Sequence, residues 1–148
     1  MSVVELLKSS LGAADVSQAT IDEIASISET RTYDADEIIY RESDSSDYLC
    51  IVSSGMIEVQ YLLPSGIRRT VDTLNPGDVL VWSALVQPYT TNSIGISRTK
   101  SEVLAIPGPK LRDICEKDTK LGYRLMSQIA QVIRRRLQAA RLQIAEVE

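Results

Sequence analysis

Residues 48–78 read YLCIVSSGMIEVQYLLPSGIRRTVDTLNPGD, a stretch that alternates short apolar runs with turn sequences. The runs are Tyr48–Ser53, Met56–Leu62 and Ile67–Leu74, and the turns are Ser54-Gly55, Pro64-Ser-Gly66 and Asn75-Pro-Gly-Asp78. Short runs rich in β-branched and aromatic residues, bounded by Gly, Pro, Asn and Ser, are typical of strands joined by tight turns. This stretch therefore predicts consecutive strands in a mainly β unit.

The same pattern continues on both sides of this stretch. Further strand-like runs are Thr30–Tyr33, Glu37–Arg41, Ser93–Ser97 and Glu102–Ile106. Strands this short and evenly spaced favour a closed β-roll or sandwich. Helical spacing precedes them at Val3–Leu11 and Gln18–Ser28, and follows them at Lys110–Glu116 and in a long helix from Thr119 or Lys120. We expect one domain over 1–148, with helices at 1–29, a roll at 30–107 and helices at 108–148.

Composition excludes several kinds of site. The chain has 148 residues, 44% of them hydrophobic, a net charge of −4 and no histidine. The acidic balance argues against broad affinity for nucleic acid or anionic membranes. Without histidine, the commonest metal ligand and general base are both missing. We expect no metal site, no catalytic residues and no enzyme.

The two cysteines and the N-terminal sequence indicate where in the cell the protein is located. Cys50 and Cys115 lie in dissimilar contexts, which favours two reduced thiols over a disulfide. The first eleven residues hold Glu5 and lack the long apolar block of a signal peptide. We expect a cytoplasmic protein without membrane spans.

The last helix carries an apolar heptad seam. Its members recur at alternating spacings of four and three residues: Met126, Ala130, Ile133, Leu137, Ala140, Ile144 and Val147. A second apolar stripe, Leu121, Leu125, Ile129 and Val132, lies on another face of the same helix. One stripe can cover the protein's own core while the other meets a partner helix, so we expect a parallel homodimer. The alternative is a single helix lying across its own roll.

Val79–Ser97, VLVWSALVQPYTTNSIGIS, is the longest run without a formal charge. A short helical turn at Trp82–Val86 would direct backbone N–H groups toward a neighbouring cavity. This run supplies the candidate ligand-binding residues, namely Val81, Trp82, Ser83, Ala84, Tyr89, Thr90, Thr91, Asn92 and Ser93.

Several of these segments resemble the cyclic nucleotide-binding domain of catabolite-activator-type regulators and kinase regulatory subunits. The similar segments are Ile38–Asp44, Asp47–Gly55, Ile57–Val59, Asn75–Asp78 and Ser101–Ile106, and the resemblance extends over roughly 16–142. It implies a double-stranded β-helix, jelly-roll-like, with a phosphate-binding cassette at Asp78–Ile94. In the family, Asp36 and Ser43 would usually be glycines.

The resemblance also implies where the ligand anchors would lie. Trp82 stands at the position of the glutamate that holds the ribose, Val81 at the preceding glycine, and Thr91 near the arginine that holds the phosphate. Since a hydrogen bond to a charged group is worth about 1.5–3 kcal/mol, losing both anchors weakens binding by about two to four orders of magnitude. Arg98 or Arg124 is a candidate to replace the arginine.

The resulting hypothesis is a non-catalytic sensor domain that does not bind cyclic AMP in the usual way. Its effector is an altered small molecule or none. The alternatives are a genuine cyclic nucleotide receptor and a ligand-free structural dimer, in which Trp82 fills the pocket and Tyr89 packs over it. The given sequence ends at Glu148, before the helix-turn-helix of relatives that regulate transcription, so we expect no DNA binding through that element. The Arg134-Arg-Arg136 run is interpreted as a solvated flank of the seam.

Overall fold

Two short helices precede the sheets. The computed structural model describes the backbone of residues 2–12 and 15–147, and the side chains of those ranges up to residue 142. Helix α1, Val3–Ser10, begins in a capping box, because Ser2 Oγ accepts a hydrogen bond from the Glu5 N–H while the Glu5 carboxylate accepts one from the Ser2 N–H. Helix α2 is Gln18–Ile27. Both helices end one residue before their predicted last residue.

Two antiparallel sheets form the roll. Within the described residues the strands are β1 (Glu29–Tyr33), β2 (Ile38–Tyr40), β3 (Tyr48–Ser54), β4 (Ile57–Leu62), β5 (Arg68–Leu74), β6 (Val79–Leu80), β7 (Ile94–Ser97) and β8 (Ser101–Pro107). One sheet has the order β1-β8-β3-β6 and the other β2-β7-β4-β5. Successive strands alternate between the sheets except in the β4–β5 hairpin. The predicted jelly-roll-like class is confirmed.

The first sheet is covered on both faces. Alternate residues of a strand point to opposite sides, so Leu49 and Ile51 of β3 join the core beneath the helices. Cys50 and Val52 of the same strand join the core inside the roll. This double burial explains why β3 is an almost continuous apolar run.

Two helices follow the roll. Helix α3, Gly108–Lys117, starts two residues earlier than predicted because Pro109 suits its first turn. Helix α4, Thr119–Val147, then runs to the end of the described chain. Leu121, Leu125 and Ile129 are at most 4% exposed, so this stripe of α4 is part of the protein's own core.

Left-handed backbone occurs at turns where the resemblance implies glycines. Asp36 and Ser43 have φ angles of 65° and 64°. At Gly55, with φ of 90°, an added Cβ would lie 2.2 Å from Ser101 Oγ, so only glycine fits there. The turns at 36 and 43 therefore keep a glycine-like backbone although the residues have changed.

Candidate functional site

The uncharged run forms the cassette between β6 and β7. Trp82–Leu85 is a 3₁₀ helix, which confirms the predicted helical turn with one residue fewer. Val81 precedes it in the left-handed region, at φ 61° and ψ 49°. This conformation is rare for a β-branched residue and typically costs about 1–3 kcal/mol. The backbone thus keeps the shape that glycine would adopt at the position aligned with Val81.

The two serine hydroxyl groups of the cassette that line the small cavity are already paired. Ser83 Oγ and Ser46 Oγ share a hydrogen bond of 2.6 Å. Ser93 Oγ and the Tyr40 hydroxyl share another of 2.9 Å. These groups fasten the cassette to β2 and to the loop before β3, so binding a ligand would require exchanging bonds that already exist.

Thr91 holds the 41–44 loop against the cassette. Its Oγ1 donates to the Arg41 carbonyl and accepts from the Asp44 N–H at 3.0 Å. Its backbone N–H donates to the Asp44 carbonyl at 2.9 Å. The residue nearest the family's arginine position therefore has a structural role in this form of the protein.

Three other candidates, Ala84, Tyr89 and Thr90, do not line the small cavity beside Trp82. The Ala84 N–H donates to the Val81 carbonyl at 3.3 Å, and Thr90 forms an isolated β-bridge with Ser45. Tyr89 lies against the Arg112 guanidinium, with 3.9 Å between Cζ and the ring centroid. Tyr89 is thus engaged by Arg112 of helix α3 and does not line the small cavity.

Arg112 also ties the cassette to helix α3. Its Nη1 donates to the Ala84 carbonyl at 2.6 Å, while its guanidinium stacks on Tyr89. Position 108 lies close by, since a Cβ on Gly108 would be 3.3 Å from the Ala84 carbonyl oxygen. The 3₁₀ helix and the start of α3 are therefore mechanically joined.

The pocket between the cassette, Tyr40 of β2 and Arg136 of α4, called the cradle from here on, is almost full. A cavity of about 10 Å³ is all that remains there, room for about one water molecule. Its lining includes six of the nine candidate ligand-binding residues: Val81, Trp82, Ser83, Thr91, Asn92 and Ser93. Whether these residues hold a ligand stays a prediction.

Arg136 of α4 reaches this cradle. It lines the cavity together with Tyr40 and Leu80, and its side chain is only 13% exposed. Its Nη2 lies 3.5 Å from Asp72 Oδ2, and the Asp72 side chain is 22% exposed. Its Nε is buried and has no hydrogen-bond partner among the described residues. A guanidinium group is therefore present in the cradle after all, supplied by the last helix.

The cradle around Arg136 is lined by both polar and apolar side chains, and Tyr40 is one of them. Burial raises the pKa of the Tyr40 hydroxyl above its ordinary value, while the bond to Ser93 and the Arg136 charge oppose this rise. A Cβ on Gly95 would lie 2.3 Å from Tyr40 Cε1, so the tyrosine ring rests directly on the β7 backbone. Tyr40 thus forms a fixed wall opposite the arginine.

The two arginines proposed from the sequence lie elsewhere. Arg98 pairs with Glu58 at 2.6 Å and Asp36 at 3.2 Å. Arg124 pairs with Asp15 at 2.5 Å. Both proposals are wrong, because neither residue lines the cradle. The interpretation of 134–136 as a solvated flank is also wrong for Arg136, although Arg134 and Arg135 are exposed.

The predicted dimer seam lies on the outer face of α4. Met126, Ile133 and Leu137 are 46%, 42% and 58% exposed, and Ala130 and Ala140 are exposed as well. The side chains of Ile144 and Val147 fall outside the described residues. The seam is thus available to a partner, whereas the stripe on the other face is buried.

Three further observations concern the cysteines, possible metal ligands and possible membrane spans. Cys50 and Cys115 are both free, and burial raises the pKa of Cys50 to about 12. Across the described ranges, no group of three His, Cys, Asp or Glu side chains is placed to hold a metal ion. Of the helices described, none has the length and apolar character required to cross a bilayer.

Comparison with known proteins identifies the family. The family model for the cyclic nucleotide-binding domain matches residues 30–118, and the chain belongs to this family. Among curated proteins, none matches this sequence. The roll and cassette described above are thus those of a cyclic nucleotide-binding domain.

Solved structures share the whole fold. A provisionally assigned cyclic nucleotide-binding protein from Geobacter metallireducens GS-15 is 27% identical, with a TM-score of 0.77 over 93% of this chain and 98% of its own. The catabolite activator protein of Thermus thermophilus is 21% identical, with a TM-score of 0.76 over 94% of this chain and 63% of its own. The sensor domain of the transcriptional regulator DNR from Pseudomonas aeruginosa is 14% identical, with a TM-score of 0.76 over 90% of each chain.

Proposed function

We propose that this chain is a non-catalytic regulatory domain that does not bind cyclic AMP in the family's usual way. The observation that carries this proposal is the position of Arg136, which leaves about 10 Å³ of free space in the cradle. A cyclic nucleotide entering the cradle must displace this side chain and separate it from Asp72. The ligand's phosphate and ribose would then meet Trp82 and Thr91 rather than the two charged anchors that the resemblance implies.

The same contact connects the cradle to the output helix. Arg136 belongs to α4, and its side chain is the link between this helix and the Asp72 end of β5. Any event that withdraws Arg136 removes a restraint on α4, which makes the helix a two-state element of the kind that transmits a signal. In this proposal, called the lock hypothesis, Arg136 in the cradle holds α4 in one position, and the event that releases it need not be nucleotide binding.

We further propose that α4 pairs with α4 of a second copy. The exposed seam of Met126, Ala130, Ile133 and Leu137 is continuous over three helical turns and has the spacing of a two-helix contact. Alanine at 130 and 140 permits close approach of the backbones. If α4 is paired in this way, release of Arg136 from the cradle changes the position of α4 in the dimer, and not only in one copy.

Catalysis is disfavoured by the state of the cysteines. At ordinary pH, Cys50 stays a buried thiol because its pKa is about 12, and the thiolate is the reactive form. The free thiols also support the predicted cytoplasmic location, since disulfides are uncommon there.

Thermal-shift measurements with cyclic AMP and cyclic GMP test the proposal. A site of micromolar affinity raises stability by about 4 kcal/mol at millimolar ligand, or roughly 10 °C for a domain of this size. We expect no measurable shift for the wild type with either nucleotide. A shift of several degrees would overturn the proposal.

A genuine cyclic nucleotide receptor is the second candidate, and one observation favours it. Arg136, whose Nε is unpartnered among the described residues, lines the cradle together with Ser83 and Thr91. In the receptor hypothesis its guanidinium binds the phosphate. The receptor hypothesis predicts a large shift in the wild type that disappears in Arg136→Ala. The lock hypothesis predicts no shift in the wild type and a lower starting melting temperature in this variant. Arg141→Ala, an exposed position on the same helix, is the matched control.

A further inference from the structure

A second and much larger cavity lies on the other side of Trp82. Its volume is about 540 Å³, within the range of about 300–1,000 Å³ typical of small-molecule sites. It is enclosed by the end of α1, the turn around Gly77 and Asp78, and the middle of α4. Trp82 lines this cavity and the closed cradle alike, so the two spaces are neighbours but distinct.

Part of the wall of the large cavity is apolar. Leu74 and Trp82 form one side, and Leu125, Ile129 and Val132 of α4 form another. Leu125 and Ile129 are almost completely buried, whereas Trp82 and Val132 are partly exposed. A lining of this kind receives the hydrocarbon part of a ligand.

Two buried polar atoms of this cavity lack partners. Ser10 is 7% exposed and its Oγ has no hydrogen-bond partner within the described part of the chain. Gln128 of α4 is only partly buried as a residue, but its Oε1 atom is buried and also has no hydrogen-bond partner there. Buried hydroxyl and amide groups in proteins are nearly always paired. Because both residues line the same cavity, one hydroxyl-bearing ligand can satisfy them together.

The opposite end of the cavity carries positive charge. Arg134 and Arg135 both line it and are exposed at its rim. The one acidic residue in the lining, Asp78, is already engaged, since its Oδ2 accepts from the Asn75 N–H at 2.9 Å. The balance at the rim therefore favours an anion.

The spacing along α4 separates these two ends. Gln128 and Arg135 are seven positions apart, which corresponds to about 10 Å along the helix axis. A ligand that meets both ends needs an apolar body of similar length. An extended chain of about eight carbons with a hydroxyl at one end and a carboxylate at the other has this form.

We propose that this cavity is a binding site for a small amphipathic hydroxycarboxylic acid. Its hydroxyl bonds Ser10 and Gln128, its hydrocarbon body lies against Trp82 and Leu125, and its carboxylate faces Arg134 and Arg135. The site is a different space from the cyclic nucleotide cradle, with which it shares the Trp82 wall.

Trp82 provides a local reporter, because it is the single tryptophan of the chain and part of the wall. The probes are 8-hydroxyoctanoate, octanoate and octane-1,8-diol, each titrated with Trp82 fluorescence and calorimetry. We expect a saturable change with 8-hydroxyoctanoate below millimolar concentration and weaker binding of the other two probes. Absence of a saturable signal from 8-hydroxyoctanoate at millimolar concentration overturns the proposal.

Variants assign the two ends of the ligand. Ser10→Ala should weaken 8-hydroxyoctanoate about tenfold and leave octanoate unchanged, since only the first can donate to or accept from the hydroxyl. Arg134→Gln with Arg135→Gln should weaken both carboxylates about tenfold and spare the diol. Arg141→Gln, on the same helix outside the cavity, should change neither.

A blocked cavity supplies the last test. Val132→Phe places a larger side chain in the lining, and we expect it to abolish the Trp82 response to 8-hydroxyoctanoate while circular dichroism shows an intact fold. Unchanged binding in this variant means that the probe is bound elsewhere, and that result also overturns the proposal.

Discussion

Removing either member of the Arg136–Asp72 pair should destabilise the domain, and removing both should cost less than the sum. The pair joins α4 to β5 at 3.5 Å between Nη2 and Oδ2, with side chains 13% and 22% exposed. Asp72→Asn leaves a buried guanidinium without its counter-charge, which we expect to cost about 2 kcal/mol. Arg136→Met should cost about 1 kcal/mol, because it also removes the unpartnered buried Nε.

The double variant Asp72→Asn with Arg136→Met isolates the interaction. We expect a coupling energy of about 1 kcal/mol, at the upper end of what exposed pairs give, because both groups are largely buried. The Thr73 N–H, which donates to Asp72 Oδ1 at 2.9 Å, keeps an acceptor in the asparagine variant. Urea unfolding followed by Trp82 fluorescence measures all four proteins.

A second ion pair serves as a control that shows whether the coupling energy depends on the N···O distance or on the burial of the side chains. Arg31 and Glu29 lie closer, at 2.6 Å, but their side chains are 35% and 55% exposed. The equivalent cycle with Arg31→Met and Glu29→Gln should give a coupling below about 0.5 kcal/mol. Additive effects at Arg136 and Asp72, within about 0.3 kcal/mol, would refute the argument that Arg136 is held in the cradle.

Three further predictions concern other parts of the molecule. Ile133→Glu places a charge on the exposed seam of α4, and light scattering should then show a monomer in place of the dimer. Tyr123→Glu, at an exposed position outside the seam, should leave the dimer intact. A monomeric wild type contradicts the dimer. Gly95→Ala forces a Cβ to within 2.3 Å of Tyr40 Cε1. This overpacking should lower the free energy of unfolding by about 2 kcal/mol. An unchanged urea midpoint contradicts the contact between Tyr40 and the β7 backbone. Since the pKa of Cys50 is about 12, this thiol should resist Ellman's reagent at neutral pH until the protein unfolds; rapid labelling of Cys50 in the native protein contradicts its burial.

Periodicity alone separates the two faces of α4. Leu121, Leu125 and Ile129 form one apolar stripe in the sequence, and the structure buries all three. Met126 and Ile133 belong to the other stripe and are exposed. The sequence predicts that there are two faces because a helix repeats every 3.6 residues. Which face meets the protein's own core depends on the packing of complete elements.

The resemblance to the family also indicates the backbone conformation of two turns and of the start of the cassette. The resemblance places glycines of the family at Asp36, Ser43 and Val81, and all three have positive φ in this chain. A turn's shape is set by the whole roll, so it persists when the residue that suits it best is replaced. The short strand β6, by contrast, has only two residues and no periodic signal.

Arg136 shows where inference from the sequence ends. Three consecutive arginines point in three directions on a helix, and no local pattern distinguishes the one that turns inward. Its position follows from how α4 docks on the roll, 45 positions after Thr91 in the chain. Ser10 and Gln128 likewise come together only because α1 and α4 border the same cavity.

Nitrogen-15 NMR with cyclic AMP tests most directly whether the cradle is closed to the family's nucleotide. Amide resonances of Ser83, Thr91 and Ser93 report on the cradle, and the Arg136 Nε–Hε resonance reports on the side chain that fills it. With millimolar cyclic AMP we expect these resonances to stay in place. Saturable shifts centred on them, with a micromolar dissociation constant, would contradict the account and identify the domain as a cyclic nucleotide receptor.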